Sequence, residues 1–167
     1  MKTVMTLVMG LVVASGLANE DGDPVDLLKK SGYTLSEAIA KATVIAKEGT
    51  VVAAELEEDD GKVVYSVEFA QGGRILEISL DAKTGELVEK EVEDEDESSV
   101  AKALKITLPQ AIEAALQKMP GLAFEVESEL EDGKVEIEVK ILSDGKVYEV
   151  EVDGVTGVAG KARTKKE

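Results

Sequence analysis

The chain has 167 residues, 44% of them apolar, and sets 35 acidic against 19 basic residues for a formal charge of −16. That length suits one ordinary domain or two small ones, and so acidic a surface repels phosphate backbones and anionic lipid, which sets nucleic acid aside as a partner. The absence of Cys and His excludes thiolate chemistry, an ordinary zinc site, a His general acid or base, and haem held by either residue. With so many carboxylates some pairs fall close by chance, so no catalytic, cofactor-binding or metal-ligating residue is assigned.

The first eighteen residues, MKTVMTLVMGLVVASGLA, read as a secretory signal peptide. Lys2 precedes an apolar run from Val4 to Ala14, and Gly16 and Ala18 occupy the −3 and −1 positions of a cleavage site. The run is far shorter than the roughly 20 residues a membrane-spanning helix needs, and no Cys follows to carry a lipid. The expectation is an exported protein, periplasmic or extracellular, that begins at Asn19, inserts in no membrane after cleavage and does without disulfides.

Residues 19–32 form a lead-in with a short helical stretch, PVDLLKK, at 24–30. A repeat unit then spans 33–90. Thr34 and Glu37 have the spacing of a capping box, in which the hydroxyl accepts an orphan backbone N–H and the Glu side chain reaches back. Leu35, Ala38, Ile39, Ala42 and Ala46 follow at helical spacing, and Gly49 supplies the stop. From there the period is two. VVAAELEE is followed by Val63, Tyr65, Val67 and Phe69, then by Leu76, Ile78 and Leu80, with turns at Asp60-Gly61 and Gly72-Gly73. Alternation of this kind gives an antiparallel sheet with one buried and one wet face. The strand ends in DAKTG, where Asp81, Thr84 and Gly85 form a turn into a fourth strand at Glu86–Lys90.

An acidic linker and lead-in occupy 91–105, including much of the run EKEVEDEDESS at 89–99 and a helical stretch, SSVAKALK, at 98–105. The second unit, 106–160, then repeats the first. Thr107 and Gln110 form a second capping box, and Leu108, Ala111, Ile112, Ala115, Leu116 and Met119 a second apolar face, closed by Pro120-Gly121. FEVESEL leads into Val135, Ile137, Val139 and Ile141, and then into Tyr148, Val150 and Val152, with turns at Asp132-Gly133 and Asp144-Gly145. DGVTG places Asp153, Thr156 and Gly157 where the first copy has Asp81, Thr84 and Gly85. The offset is 73 through the helix and 72 from the hairpin onward. Residues 161–167 are a basic tail. Tyr65, Phe69, Phe124 and Tyr148 fall on strands, where they anchor the cores. The fold class expected is α+β, two repeated units, each an α-helix on a three- or four-stranded antiparallel sheet.

The order YTLSEAIAKA, G-K hairpin, LDAKTGEL, and its second appearance as ITLPQAIEAA through VDGVTGVA, resembles the PepSY domain over 33–90 and 106–160. After Gly157 the second copy departs, with VAGKA in place of the polar–apolar strand. The resemblance implies a helix packed on an antiparallel sheet, no catalytic residues, and roles in propeptides of secreted metallopeptidases and in cell-envelope proteins as inhibitory or partner-binding modules.

The acidic runs NEDGDPVD and VEDEDE lack the spaced ligands and closing Glu of an EF-hand loop. Gly72-Gly73 lacks the helix and Lys-Ser/Thr of a phosphate loop. Two functions stay open. One is a non-catalytic exported protein that binds and regulates a secreted or envelope peptidase by inhibiting or escorting it. The other is an envelope binding, scaffolding or sensory protein with no peptidase partner, associating weakly with cations. The partner in either case is a protein, met through sheet edges and the acidic wet face, and the oligomeric state is open.

Overall fold

The computed structural model describes residues 22–164. The signal peptide and its cleavage point, and the last three residues of the tail, lie outside the described residues. Helix α1 (Pro24–Lys30) starts on Asp23, whose carboxylate accepts from Val25 N at 2.9 Å. Helix α2 (Leu35–Ala46) opens on the Thr34–Glu37 box, with both reciprocal bonds made. It ends earlier than Gly49 suggests, because Lys47 already takes φ 70° as the C-cap.

Four strands follow: β1 (Thr50–Asp59), β2 (Lys62–Gln71), β3 (Arg74–Asp81) and β4 (Leu87–Glu93). The first two hairpins turn on two residues with positive φ, Asp60-Gly61 and Gly72-Gly73, the geometry whose twist matches that of the flanking strands. Strand β4 continues through Glu93, so the acidic run contributes its first half to the sheet as an edge strand. Only from Asp94 does the chain leave for α3 (Ser98–Ala103) and α4 (Leu108–Lys118), the latter on the Thr107–Gln110 box. Strands β5 (Leu122–Glu131), β6 (Lys134–Ser143) and β7 (Lys146–Asp153) repeat β1–β3. The fourth strand of this copy is displaced: a single bridge joins Ala159 to Val152, and β8 is two residues, Arg163–Thr164.

All eight strands form one antiparallel sheet in the order β4-β3-β2-β1-β5-β6-β7-β8. The copies join edge to edge at its centre, where Ala54 pairs with Val126, flanked by Ala53 with Glu127 and Glu55 with Glu125. Ala54 and Val126 are themselves equivalent under the 72-residue offset, so the pairing is symmetric about them. Each central strand also carries a bulge at the equivalent place, Val52 in β1 and Phe124 in β5. The repeats are therefore related by a local two-fold axis through this pair.

Helices α2 and α4 lie side by side on one face. Leu35, Ile39, Tyr65, Phe69, Leu108, Ile112, Ile137 and Ile141 are all buried in one cluster drawn from both copies, so there is one shared core rather than two. Tyr65, Phe69 and Phe124 are buried and Tyr148 half-buried. The thin Ala faces (Ala38, Ala42, Ala111, Ala115) let the helices approach the sheet closely. Helix α3 brings Val100 against Val52, Ile75 and Val135 in a small second cluster.

Candidate functional site

The sequence-predicted residues assemble in pairs, each cap against its own turn. Asp81 accepts from Lys83 N (2.9 Å) and Thr84 N (2.8 Å), and Glu86 N donates to Thr84 Oγ1 at 3.3 Å. Gly85, at φ 71°, closes the turn by donating to Asp81 O at 2.8 Å. Asp153, Thr156 and Gly157 repeat every one of these bonds, with 2.9, 2.7, 3.3 and 2.8 Å. Backbone donors from Thr84 and Lys83 hold the Asp81 carboxyl below its ordinary range, and those from Thr156 and Val155 do the same for Asp153. A carboxylate whose lone pairs are filled by its own backbone is a turn element.

What the turn positions is the start of the helix. Gly32 N donates to Ala82 O at 2.8 Å, and Lys105 N, one copy later, to Gly154 O at 2.9 Å. In the first copy Tyr33 tightens this dock. Its hydroxyl donates to Thr84 O at 2.9 Å, its carbonyl accepts from Tyr65 Oη at 2.6 Å, and Lys41 Nζ sits 4.5 Å from its ring centroid. Ile106 takes the place of Tyr33 in the second copy. The adjacency of Tyr33 to Thr34 was visible in the sequence; the fifty-one-residue reach to Thr84 was not.

The sheet face away from α2 and α4 holds a feature that strand alternation alone did not disclose. Following the pairing register across the strands, Glu91, Glu77, Glu68, Ala53, Glu127, Glu138 and Glu151 stand in one row from β4 to β7. Six glutamates therefore cross the sheet side by side, with only Ala53 between them. Cross-strand neighbours on one face lie roughly 5 Å apart, and like charges there oppose folding. The adjacent row reads Glu89, Ser79, Ser66, Glu55, Glu125, Lys140, Glu149, Arg163.

The electrostatics follow from this alignment. Burial, and then the carboxylates of Glu77, Glu93, Glu127 and Glu95, push Glu68 up to about 7. Burial and its acidic neighbours likewise raise Glu127, Glu138, Glu93 and Glu97. Glu77 accepts from Ser66 Oγ at 2.7 Å. The loop 94–97 folds over the row, enclosing with Glu68, Glu127 and Ser128 a hollow of about 300 Å³ that also includes Glu95, Asp96 and Glu97. In the other row Lys140 lies 2.5 Å from Glu125, both largely covered. Burial pulls the Lys140 ammonium down, but Glu125, Glu138 and Glu149 outweigh it and hold it up. Arg163 pairs with Glu151 at 2.8 Å.

Among the described residues no group of three or more acidic side chains is arranged to hold a metal ion, and no helix is long and apolar enough to cross a membrane. Asp23 and Asp96, from the two acidic runs, are occupied by backbone donors, Asp23 as the cap of α1 and Asp96 accepting from Ser98 N at 2.9 Å just before α3. The face is acidic across the strands of both repeats.

Comparison with known proteins gives one family. The family model described as the peptidase propeptide and YPEB domain, PepSY, matches residues 32–91 and again 105–159. No curated protein matches the chain. Among solved structures, a candidate lipoprotein from Clostridium difficile 630 aligns at 24% identity over 88% of this chain and all of its own, with a TM-score of 0.50. The Bacillus megaterium YpeB C-terminal domain aligns at 15% identity over 83% of this chain and 68% of its own, with a TM-score of 0.33.

Proposed function

The chain belongs to the PepSY family, and from that premise we propose that it is an exported, non-catalytic protein that binds a secreted or envelope peptidase and inhibits or escorts it. The observation that carries this reading is the glutamate row. Glu91, Glu77 and Glu68 stand opposite one another without an intervening base, an arrangement that costs stability on its own account. A partner that brings positive charge to that face recovers the cost, associates quickly, and does so in a salt-dependent way. The family's description as a peptidase propeptide domain supports a peptidase as that partner, and the signal-peptide pattern of residues 1–18 supports export.

The second reading is an envelope binding, scaffolding or sensory protein without a peptidase. Its support is the description of the Clostridium difficile protein as a candidate lipoprotein, which points to the envelope and names no enzyme. The two readings separate in one experiment. Co-exported peptidases are assayed with and without the purified protein, at low and high salt. The first reading expects a change in the activity or yield of one of them that fades as salt rises. A pull-down holding only sensors or transporters, with every peptidase unaffected, selects the second.

A further inference from the structure

The two repeats diverge in charge where their backbones correspond most closely. Under the 72-residue offset Ala53, Glu68, Glu77 and Glu91 become Glu125, Lys140, Glu149 and Arg163. Each set runs straight across four paired strands of its own half. In the second half the signs alternate, acid, base, acid, base, and the bases are used: Lys140 on Glu125, Arg163 on the neighbouring Glu151. In the first half every base is replaced, and three acids face one another. The second half neutralises its own row; the first half lacks the cations for its row.

The ends of the sheet differ in the same sense. Beyond β7 the returning chain occupies the edge, through the Val152–Ala159 bridge, the bond from Gly160 N to Glu151 O at 2.8 Å, and β8 itself. Beyond β4 no strand follows among the described residues. The seven residues of β4, with an irregularity at Val88 between the Leu80–Leu87 and Ser79–Glu89 pairs, present their outer backbone groups, and Leu87, Val88 and Val92 are exposed among them. Glu89, Glu91 and Glu93 lie on the face that carries the acidic rows. A second copy pairing there through its own β4 would set two such acid rows against each other, which like-charge repulsion resists.

We infer that the outer edge of β4 takes an extended segment of a partner protein with Lys or Arg at every second position, added as a ninth strand. Its backbone completes the ladder, and its alternate basic side chains stand beside Glu91 and Glu93, bringing cations to this end of the acid row from the sheet edge, as Arg163 does at the other end. The residues between them meet Val92. This deepens the proposed function by naming the part of the partner that is held, and it rests on that reading for the partner's being a peptidase.

The test uses the purified protein and a synthetic heptapeptide, Lys-Thr-Lys-Val-Lys-Thr-Lys, with amide hydrogen exchange as the map. Binding that weakens with salt, with new protection confined to residues 87–93, is expected. A peptide with the same charges but alternate backbone nitrogens methylated should bind at least about tenfold more weakly, since it keeps the electrostatics and loses the strand bonds. The double variant Glu91→Lys/Glu93→Lys, on the exposed edge, should lose the basic peptide and acquire Glu-Thr-Glu-Val-Glu-Thr-Glu. Equal binding of the methylated peptide, protection outside β4, or no binding of either peptide overturns the inference. So does salt-dependent self-association that blocks the edge with a second copy's Lys161 and Arg163. Should the peptide bind at β4 while no peptidase responds, the strand site stands and the peptidase reading falls.

Discussion

Glu68 and Glu77 stand directly opposite each other on neighbouring strands. Their side chains project on the face away from α2 and α4, with Glu93, Glu95 and Glu127 close enough to bear on Glu68 and the loop acids Asp96 and Glu97 lining the same hollow. The protein is thus least comfortable where its acids are fully ionised.

Stability therefore falls as pH rises. Glu68 has its folded value raised to about 7 from 4.5, so between those two values the folded state holds more protons than the unfolded one. Its favourable contribution is complete below the unfolded value and is lost on passing through the folded one. Asp81, Asp153 and Glu37 work oppositely: their folded values are lowered, and what they contribute disappears only in stronger acid. Urea midpoints should be highest near about pH 5 and fall toward pH 8. Glu68→Gln should flatten that fall and stabilise the protein at pH 8 by roughly 2 kcal/mol. A midpoint that rises from pH 5 to pH 8 would be the contrary result.

Lys140→Ala removes the covered cation from between Glu125, Glu138 and Glu149. The pair it breaks is largely shielded from water, and a stranded buried charge is costly, so a loss of about 3 kcal/mol is expected at pH 7. Near pH 4 Glu138, whose carboxyl burial and the neighbouring Glu149 already raise, takes up a proton and the loss should shrink. Denaturation at both pH values checks it; equal losses would mean that Lys140 acts through packing alone.

The two turn glycines should not be equally replaceable. A β carbon on Gly85 would meet Lys41 and Tyr33 at 3.1 Å, whereas one on Gly157 would meet Ile106 at 3.7 Å. Both sit at positive φ, which a β-branched residue resists. Gly157→Val should cost about 2 kcal/mol and Gly85→Val more. Asp81→Ala and Asp153→Ala should each lower the melting temperature less than the Val replacement in the same turn. Loss of partner binding by either Asp variant at unchanged stability would make these carboxylates a contact site.

Ser128 donates to Val52 O at 2.6 Å, buried and across the junction of the copies. The ladder there is short, and Ser128→Ala leaves a bulge carbonyl without its donor. The expected loss is about 1–2 kcal/mol, read as a lower urea midpoint with one cooperative transition. A split into two transitions would show that this bond couples the halves.

Much of this was legible because local chemistry determines it. Thr34 with Glu37 and Thr107 with Gln110 mark the helix starts, and two-residue turns such as Gly72-Gly73 set the register of their hairpins. Given that turn, the opposition of Glu68 and Glu77 was already implied, yet the row appears only when five hairpin registers and the central β1–β5 join are laid side by side. The central join was not legible. Nothing local distinguishes Ala54 and Val126 as partners, because pairing over such a separation depends on two edges meeting after both units have formed. The end of β4 extends past the expected Lys90 for another reason: residues 91–93 look like a solvated linker by charge, and the strand persists because β3 pairs with them, Leu76 with Val92 and Ile75 with Glu93.

The symmetric pairing of Ala54 with Val126 has a consequence for descent. A half-length chain with such an inner edge would meet a second copy of itself in the same way, as a two-fold homodimer, and every substitution in it would appear twice. Fusion into one gene removes that constraint. Only then can one half carry Lys140 where the other carries Glu68, so that a neutralised row and its all-acidic counterpart sit on the same sheet. The difference between the two rows is an asymmetry that no homodimer of a single repeat could hold.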